Sequence, residues 1–235
     1  MLSSDFIALL ITFIVSLIWL RLNDYAAHKG WVSGELSRKL IHIGTGPIFV
    51  LCWLIFPNST NSKYIAALVP LAITLQFFLV GIGILRDESA VQAMSRTGDP
   101  REILRGPLYY GLVFVLITIF FWYDSPTGIV ALMLMCGGDG LAGFLGKRYG
   151  KSHIPWNPRK TWIGSIAMFS GGLILSLAIL WIYISVGIFD STLIDLIPAI
   201  LFISLLATIV ETLPLPDIDN ITVTATAVLL GYFLF

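Results

Sequence analysis

Charge is scarce in this 235-residue chain: Asp, Glu, Lys and Arg make up 12% of it, against 57% for the apolar residue types. With a mean hydropathy of +0.90, that scarcity excludes a water-soluble globular domain and indicates a polytopic membrane protein. Cysteine is equally sparse. Cys52 and Cys136 both fall in apolar runs, where each packs as a small hydrophobe, so no disulfide framework is expected. Internal repeats, low-complexity tracts and long linkers are absent, and residues 1–235 read as a single transmembrane domain. Neither a cleavable signal nor an Arg/Ser-rich transit segment precedes the first apolar run, which begins almost at Met1. That sets the expected location in a bacterial membrane, inner or (in a cyanobacterium) thylakoid, rather than in an organelle fed by a nuclear-encoded precursor.

What remains is mostly apolar helix. Eight segments stand out: Phe6–Leu22, Leu40–Phe56, Tyr64–Leu85, Pro107–Tyr123, Pro126–Leu145, Trp162–Ile188, Leu193–Leu213 and Ile221–Phe235. A helix crossing about 30 Å of hydrocarbon needs about 20 residues. Most segments meet that length, and the last, short and rich in Thr, is marginal. The expected fold is therefore all-α with about eight transmembrane helices. Net charge is zero, but its distribution is one-sided. Every Lys and Arg except Lys63 lies in the first, third or fifth connection, which the positive-inside rule assigns to the cytoplasm or its organellar equivalent, with both termini outside. The acidic seventh connection, Pro214–Asn220, joins them by alternation. The polar chemistry is thus expected at one membrane surface.

Four blocks carry that chemistry. In ELSRKLIHIGTGP (Glu35–Pro47), Arg38 and His42 share one helix face with Lys39 beside them. Basic residues at a helix entrance also snorkel to headgroups, but an imidazole one turn inside an apolar helix gains nothing as an anchor. In MSRTGDPREILRGPLYYG (Met94–Gly111), Arg96, Arg101 and Arg105 alternate with turn-forming Gly98, Asp99 and Pro100. Arginine forks match phosphate geometry, and the turn residues predict a shaped loop.

The third block, Gly128–Ser165, holds Asp139 inside an apolar run and then Lys147, Arg148, Lys151, Arg159 and Lys160. An ionised carboxylate at the bilayer centre costs about 2.5–3.5 kcal/mol, so such residues usually face a polar cavity and serve a function. The glycines around Asp139 permit close approach of another helix or of a ligand. GKRYGK is not a Walker A loop, since that spacing and the preceding strand are both missing. The logic of cations on phosphate and a carboxylate on Mg²⁺ can still apply. The fourth block, ETLPLPDIDN (Glu211–Asn220), is the acidic cluster on the basic side, and a plain polar loop is its alternative reading.

Taken together, RKLIHIGTG, SRTGDPREILRGPLYYG, GDGLAGFLGKRYGKSHIPWNPRKTWIGS and ETLPLPDIDN resemble the phytol kinase family of polytopic prenol kinases. That family is related to dolichol kinases and, more distantly, to CDP-diacylglycerol synthases. The match runs from Arg38 to Asn220, in order and with matching spacing. Gly143 departs from the pattern, standing where related proteins often have Asp. The resemblance implies phosphoryl transfer from CTP or UTP, with Mg²⁺, to a long-chain isoprenoid alcohol such as phytol. It implies Asp139 with Asp217 or Asp219 as metal ligands. Lys147, Arg148 and Lys160 would neutralise the triphosphate, Asn157 would orient it, and Arg38, Lys39, Arg96 and Asn220 would line the nucleotide site. Catalytic roles would fall to Asp139 and Lys160, with His42 or one of the acids taking the hydroxyl proton. The expected partners are nucleotide, prenol and membrane lipid, and no nucleic acid. A CDP-lipid-forming cytidylyltransferase, a prenyl monophosphate kinase and a transporter are the competing readings. Polar groups gathered at one face without a repeat argue against transport.

Overall fold

The computed structural model describes residues 4–57, 59–95, 97–215 and 218–235. Arg96 and Asp217, both singled out above, lie outside the described residues. By internal contacts the chain forms two compact units, Met1–Ile119 and Phe120–Phe235. The first holds α1 (Ser4–His28), α2 (Gly34–Trp53), α3 (Ser62–Gly81), the short α4 (Glu88–Met94), a 3-10 turn (Pro100–Leu104) and nearly all of α5 (Gly106–Phe121). The second holds α6 (Pro126–Met133), a π-helical segment (Leu134–Asp139) and α7 (Gly140–Tyr149). A hairpin of β1 (His153–Ile154) and β2 (Asn157–Thr161) follows, then α8 (Trp162–Ser185), α9 (Leu193–Glu211) and α10 (Asp219–Leu234).

All eight apolar segments are helical, and apart from the two short strands the all-α architecture is present. Among the described residues, six stretches are long and apolar enough to cross a membrane: α1, α3, the 3-10 turn with α5, α6 through α7, α8 and α9. The other two of the expected eight fall short of that measure. Helix α2 opens on Glu35, Arg38 and Lys39, and α10 has only 16 residues. Four buried threonines inside these helices are accommodated locally. Thr74, Thr118, Thr208 and Thr224 each donate a hydroxyl hydrogen to the carbonyl four residues earlier, at 2.6 to 2.7 Å, which satisfies them without a partner helix.

In the second unit the enclosed element is α6 with the π segment. Each residue from Ile129 to Cys136 is fully buried, as an all-round apolar run requires. Helices α8 and α10 flank α6, and α8, α9 and α10 all meet the π segment. The approach of α8 is close. A Cβ placed on Gly138 would lie 3.0 Å from the Met168 carbonyl oxygen, and one on Gly171 would lie 3.0 Å from that of Gly137. Small residues at such crossings let helix backbones meet. Gly138→Val is therefore expected to force α8 away and cost about 1–3 kcal/mol, read as a lower thermal midpoint of the purified protein; an unchanged midpoint would contradict this packing.

The structure departs from the sequence expectation at two places that matter for the site. The run expected as one regular helix over Pro126–Leu145 contains a π segment ending on Asp139. Such segments are rare and recur at functional sites. The helix then continues past Leu145 to Tyr149, so Lys147 and Arg148 stand in the last turn of α7 rather than in a loop. Cations in a last turn complement the helix dipole. The helix stops at Gly150, where any Cβ would run into Thr161 and the Gly146 carbonyl.

Candidate active site

Asp139 stands at the junction of the π segment and α7, half-buried. Glu211 is the last residue of α9 and is 4% exposed, and Asp219 is the first residue of α10. Three helices of the second unit thus bring three acids together, with one oxygen of each within 4.8 Å of the others. Lys160 of β2 enters among them. Its ammonium donates to Glu211 Oε1 and, at 2.7 Å, to Asp219 Oδ2. It also feels the charge of Asp139.

Three carboxyl groups within reach of one another concentrate negative charge, which favours binding a cation. All the donors are oxygens, as hard cations require. Mg²⁺ holds its ligands at about 2.0–2.1 Å, which puts opposite oxygens about 4 Å apart, a little less than the 4.8 Å within which the three oxygens lie. Asp139, Glu211 and Asp219 therefore suit a divalent metal.

Burial alone would lower the Lys160 pKa, but Glu211, Asp139 and Asp219 outweigh it and hold the ammonium well above the ordinary lysine value of 10.5. The stabilisation from this pairing is fully present below that ordinary value and is lost only as pH rises through the higher folded one. The difference in thermal midpoint between the wild type and Lys160→Met should accordingly stay constant from about pH 7 to about pH 9. A difference that shrinks across that range would mean the lysine titrates there.

Lys160 is carried by the hairpin, whose anchoring is specific. The Trp156 indole donates to Thr212 Oγ1 at 3.1 Å. The Asn157 amide donates to the carbonyls of Thr212 and Leu213 at 3.1 and 3.2 Å. Thr161 ends β2 and caps α8, its hydroxyl accepting from the Gly164 N–H at 3.1 Å, as a β-region threonine before a helix does.

The first unit assembles the other two blocks. The Arg38 guanidinium donates to the Ser95 carbonyl at 3.2 Å. The Tyr110 hydroxyl donates to the His42 carbonyl at 2.7 Å, and the two rings lie 4.5 Å apart, tilted by 36°. The loop between α4 and α5 is shaped, as its turn residues predict. Gly98 has φ +88°, Asp99 accepts from the Arg101 N–H, and Thr97 donates twice to Glu102.

Over 206 residues the chain is 41% identical to phytol kinase 1 of Arabidopsis thaliana chloroplasts, a span covering 87% of this chain and 68% of that protein. It is 39% identical over 217 residues to a probable chloroplast phytol kinase 1 of Glycine max, covering 92% and 72%. It is 37% identical over 234 residues to the chloroplast farnesol kinase of Arabidopsis thaliana, covering 99% and 76%. The chain belongs to the phytol kinase family. No protein-family model matches it, and no solved structure does. These phytol and farnesol kinases are plant chloroplast proteins, so they lend no support to the bacterial membrane expected above.

Of the residues that the phytol kinase resemblance singled out, the structure brings Asp139, Lys160 and Asp219 into one cluster. Asn220 follows Asp219 and is buried. Lys147 and Arg148 are exposed at the end of α7, Arg148 lying over the Tyr149 ring. Arg38, Lys39 and His42 belong to the first unit, half-buried along α2. Glu211, the most buried of the three clustered acids, is not among the metal ligands expected from the sequence, which are Asp139 with Asp217 or Asp219. The signal for it was present: a carboxylate closing a helix that is mostly apolar after its first turn.

Proposed function

We propose that this chain is a membrane-embedded prenol kinase. It transfers the γ-phosphoryl group of CTP or UTP to the hydroxyl of a long-chain isoprenoid alcohol, with phytol as the first choice. The observation that carries the reading is the convergence of Asp139, Glu211 and Asp219 on Lys160, in a chain whose relatives are named for phytol and farnesol kinases. The choice of a pyrimidine donor rests on the sequence resemblance.

In this reading Asp139, Glu211 and Asp219 would hold Mg²⁺, which would supply positive charge to offset that of the triphosphate. Lys147 and Arg148, exposed at the end of α7, draw the triphosphate from water. Lys160 remains an ammonium throughout and offsets the charge that spreads over the transferring phosphoryl group; it cannot serve as a base at neutral pH. The prenol oxygen forms the new bond to the γ-phosphorus as the bridge to the β-phosphate breaks, and the nucleoside diphosphate leaves. The hydroxyl proton passes to a carboxylate of the cluster. Such transfers depend chiefly on positioning and charge stabilisation, so the electrostatics of the cluster matter more than the identity of the base.

The test uses purified protein with Mg²⁺, each nucleotide in turn, and phytol, farnesol and geranylgeraniol, with the lipid product weighed by mass spectrometry. Label in the γ-phosphate should enter the lipid, and label in the α-phosphate should not. Entry of α-label identifies a CDP-lipid-forming cytidylyltransferase and overturns the kinase. Phosphorylation of a prenyl monophosphate but of no free alcohol overturns the assignment to the first step.

A further inference from the structure

Asn157 invites a role as a phosphate-orienting donor, but its amide is committed elsewhere. Both Nδ2 hydrogens point at main-chain carbonyls, those of Thr212 and Leu213. Oδ1 accepts from the Arg159 N–H at 3.2 Å. Three of the four hydrogen bonds the amide can make are thus used inside the protein, and the residue is 6% exposed. The two carbonyls come directly after Glu211, where a helix end leaves acceptors without intrahelical donors, and Pro214 follows with no N–H of its own. Asn157 therefore supplies, from the hairpin, a donor to the Thr212 carbonyl and a second one to the Leu213 carbonyl, which also accepts from the Leu215 N–H at 2.8 Å.

The hairpin register links this lock to the lysine. Ile154 pairs with Asn157 and His153 with Thr161. One step along β1 thus faces four along β2, so Pro158, Arg159 and Lys160 bulge out between the paired positions. A bulge bends its strand and re-aims a side chain. Here it turns Lys160 toward Glu211 and Asp219, while Asn157 holds the base of the bulge against the two residues that follow Glu211.

We propose that Asn157 is the positioning residue of the site, locking the hairpin to the end of α9 so that the Lys160 ammonium stays among the carboxylates, without itself touching phosphate. This rests on the kinase reading for its catalytic consequence, though not for its structural one. Trp156, donating to Thr212 Oγ1 from the same turn, is the second point of attachment.

The test compares the wild type, Asn157→Ala, Lys160→Met and the double variant, all as full chains in detergent with Mg²⁺. Lysines are acetylated with an N-hydroxysuccinimide ester and the modified peptides quantified. Asn157→Ala should raise the labelling rate of Lys160 several-fold and leave that of Lys63 unchanged. Its kcat for prenol phosphorylation should fall by roughly 100-fold through misplacement of the lysine, with the nucleotide KM little altered. The double variant should be no slower than Lys160→Met alone, because the two changes act through one group. The proposal is overturned if Lys160 labelling does not change, if Lys63 labelling rises with it, or if the two kcat losses multiply. A nucleotide KM that rises while kcat holds would return Asn157 to direct phosphate contact. A wild type that phosphorylates no prenol defeats the kinase reading, while the labelling result still decides whether Asn157 positions Lys160.

Discussion

Asp139→Asn is expected to lower prenol phosphorylation by about 10²–10³-fold or more, the scale seen when one preorganised electrostatic group is removed from a catalytic site, while leaving the protein at least as stable as the wild type. The two halves of that expectation have one cause. Asp139 lies within the helical stretch Pro126–Tyr149, where a carboxylate costs about 2.5–3.5 kcal/mol on insertion scales, and it shares its site with two further acids. Replacing its charge with a neutral amide of the same shape relieves both penalties, which offsets the lost attraction to the Lys160 ammonium. A residue kept only for packing would show the opposite pattern, with activity retained and stability unchanged or lower. Rates of phosphoryl transfer and thermal midpoints, measured on the same preparation, separate the two. Near-normal turnover in the variant would remove Asp139 from the mechanism.

Lys160→Met should give the largest change in stability, and that change should depend on metal. The lysine donates to two of the three clustered carboxylates, those of Glu211 and Asp219. Removing one partner of a buried ion pair typically costs about 3–5 kcal/mol, because the other charge is left uncompensated. Here Glu211 is the partner left most deeply buried. Methionine preserves the apolar stem and removes only the ammonium. In a chelator the thermal midpoint should therefore fall clearly below that of the wild type. In millimolar Mg²⁺ much of the loss should be recovered, since a ligand that binds only the folded state stabilises it by mass action. The wild type, with Lys160 already in place, should respond less to Mg²⁺. Equal responses in the two proteins would mean that the three acids do not form a cation site. Turnover should remain low in the variant even with Mg²⁺ present, because the ammonium also offsets charge on the transferring group.

Much of the architecture was legible from composition and period. A long apolar run bounded by polar residues leaves a helix few alternatives in a membrane, since its backbone groups must be satisfied within the segment. Asp139 was equally legible, as an acid where acids are costly. Lys160 could be picked out as a cation, but not its partners. Glu211 illustrates the limit. Its neighbours in sequence, Asp217 and Asp219, are the companions of Asp139 that the sequence suggests; Asp219 does share the cluster, but so does Glu211, the residue that ends α9. Nothing in a helical period tells how far the end of one helix lies from the middle of another.

Asn157 shows the same limit from the other side. As a residue type in a basic loop it suits phosphate. The structure instead has its amide bound to the Thr212 and Leu213 carbonyls, across 55 and 56 residues of chain. The amino-acid sequence alone determined the membrane class, the helical segments and the presence of an acid, Asp139, inside an apolar run. These follow from solvation and backbone hydrogen bonding, which act locally along the chain. Tertiary structure alone decided which acids share a site, where the lysine points and which amide holds it there. Those outcomes depend on how helix ends and a bulged hairpin pack, and packing joins residues that no local rule connects.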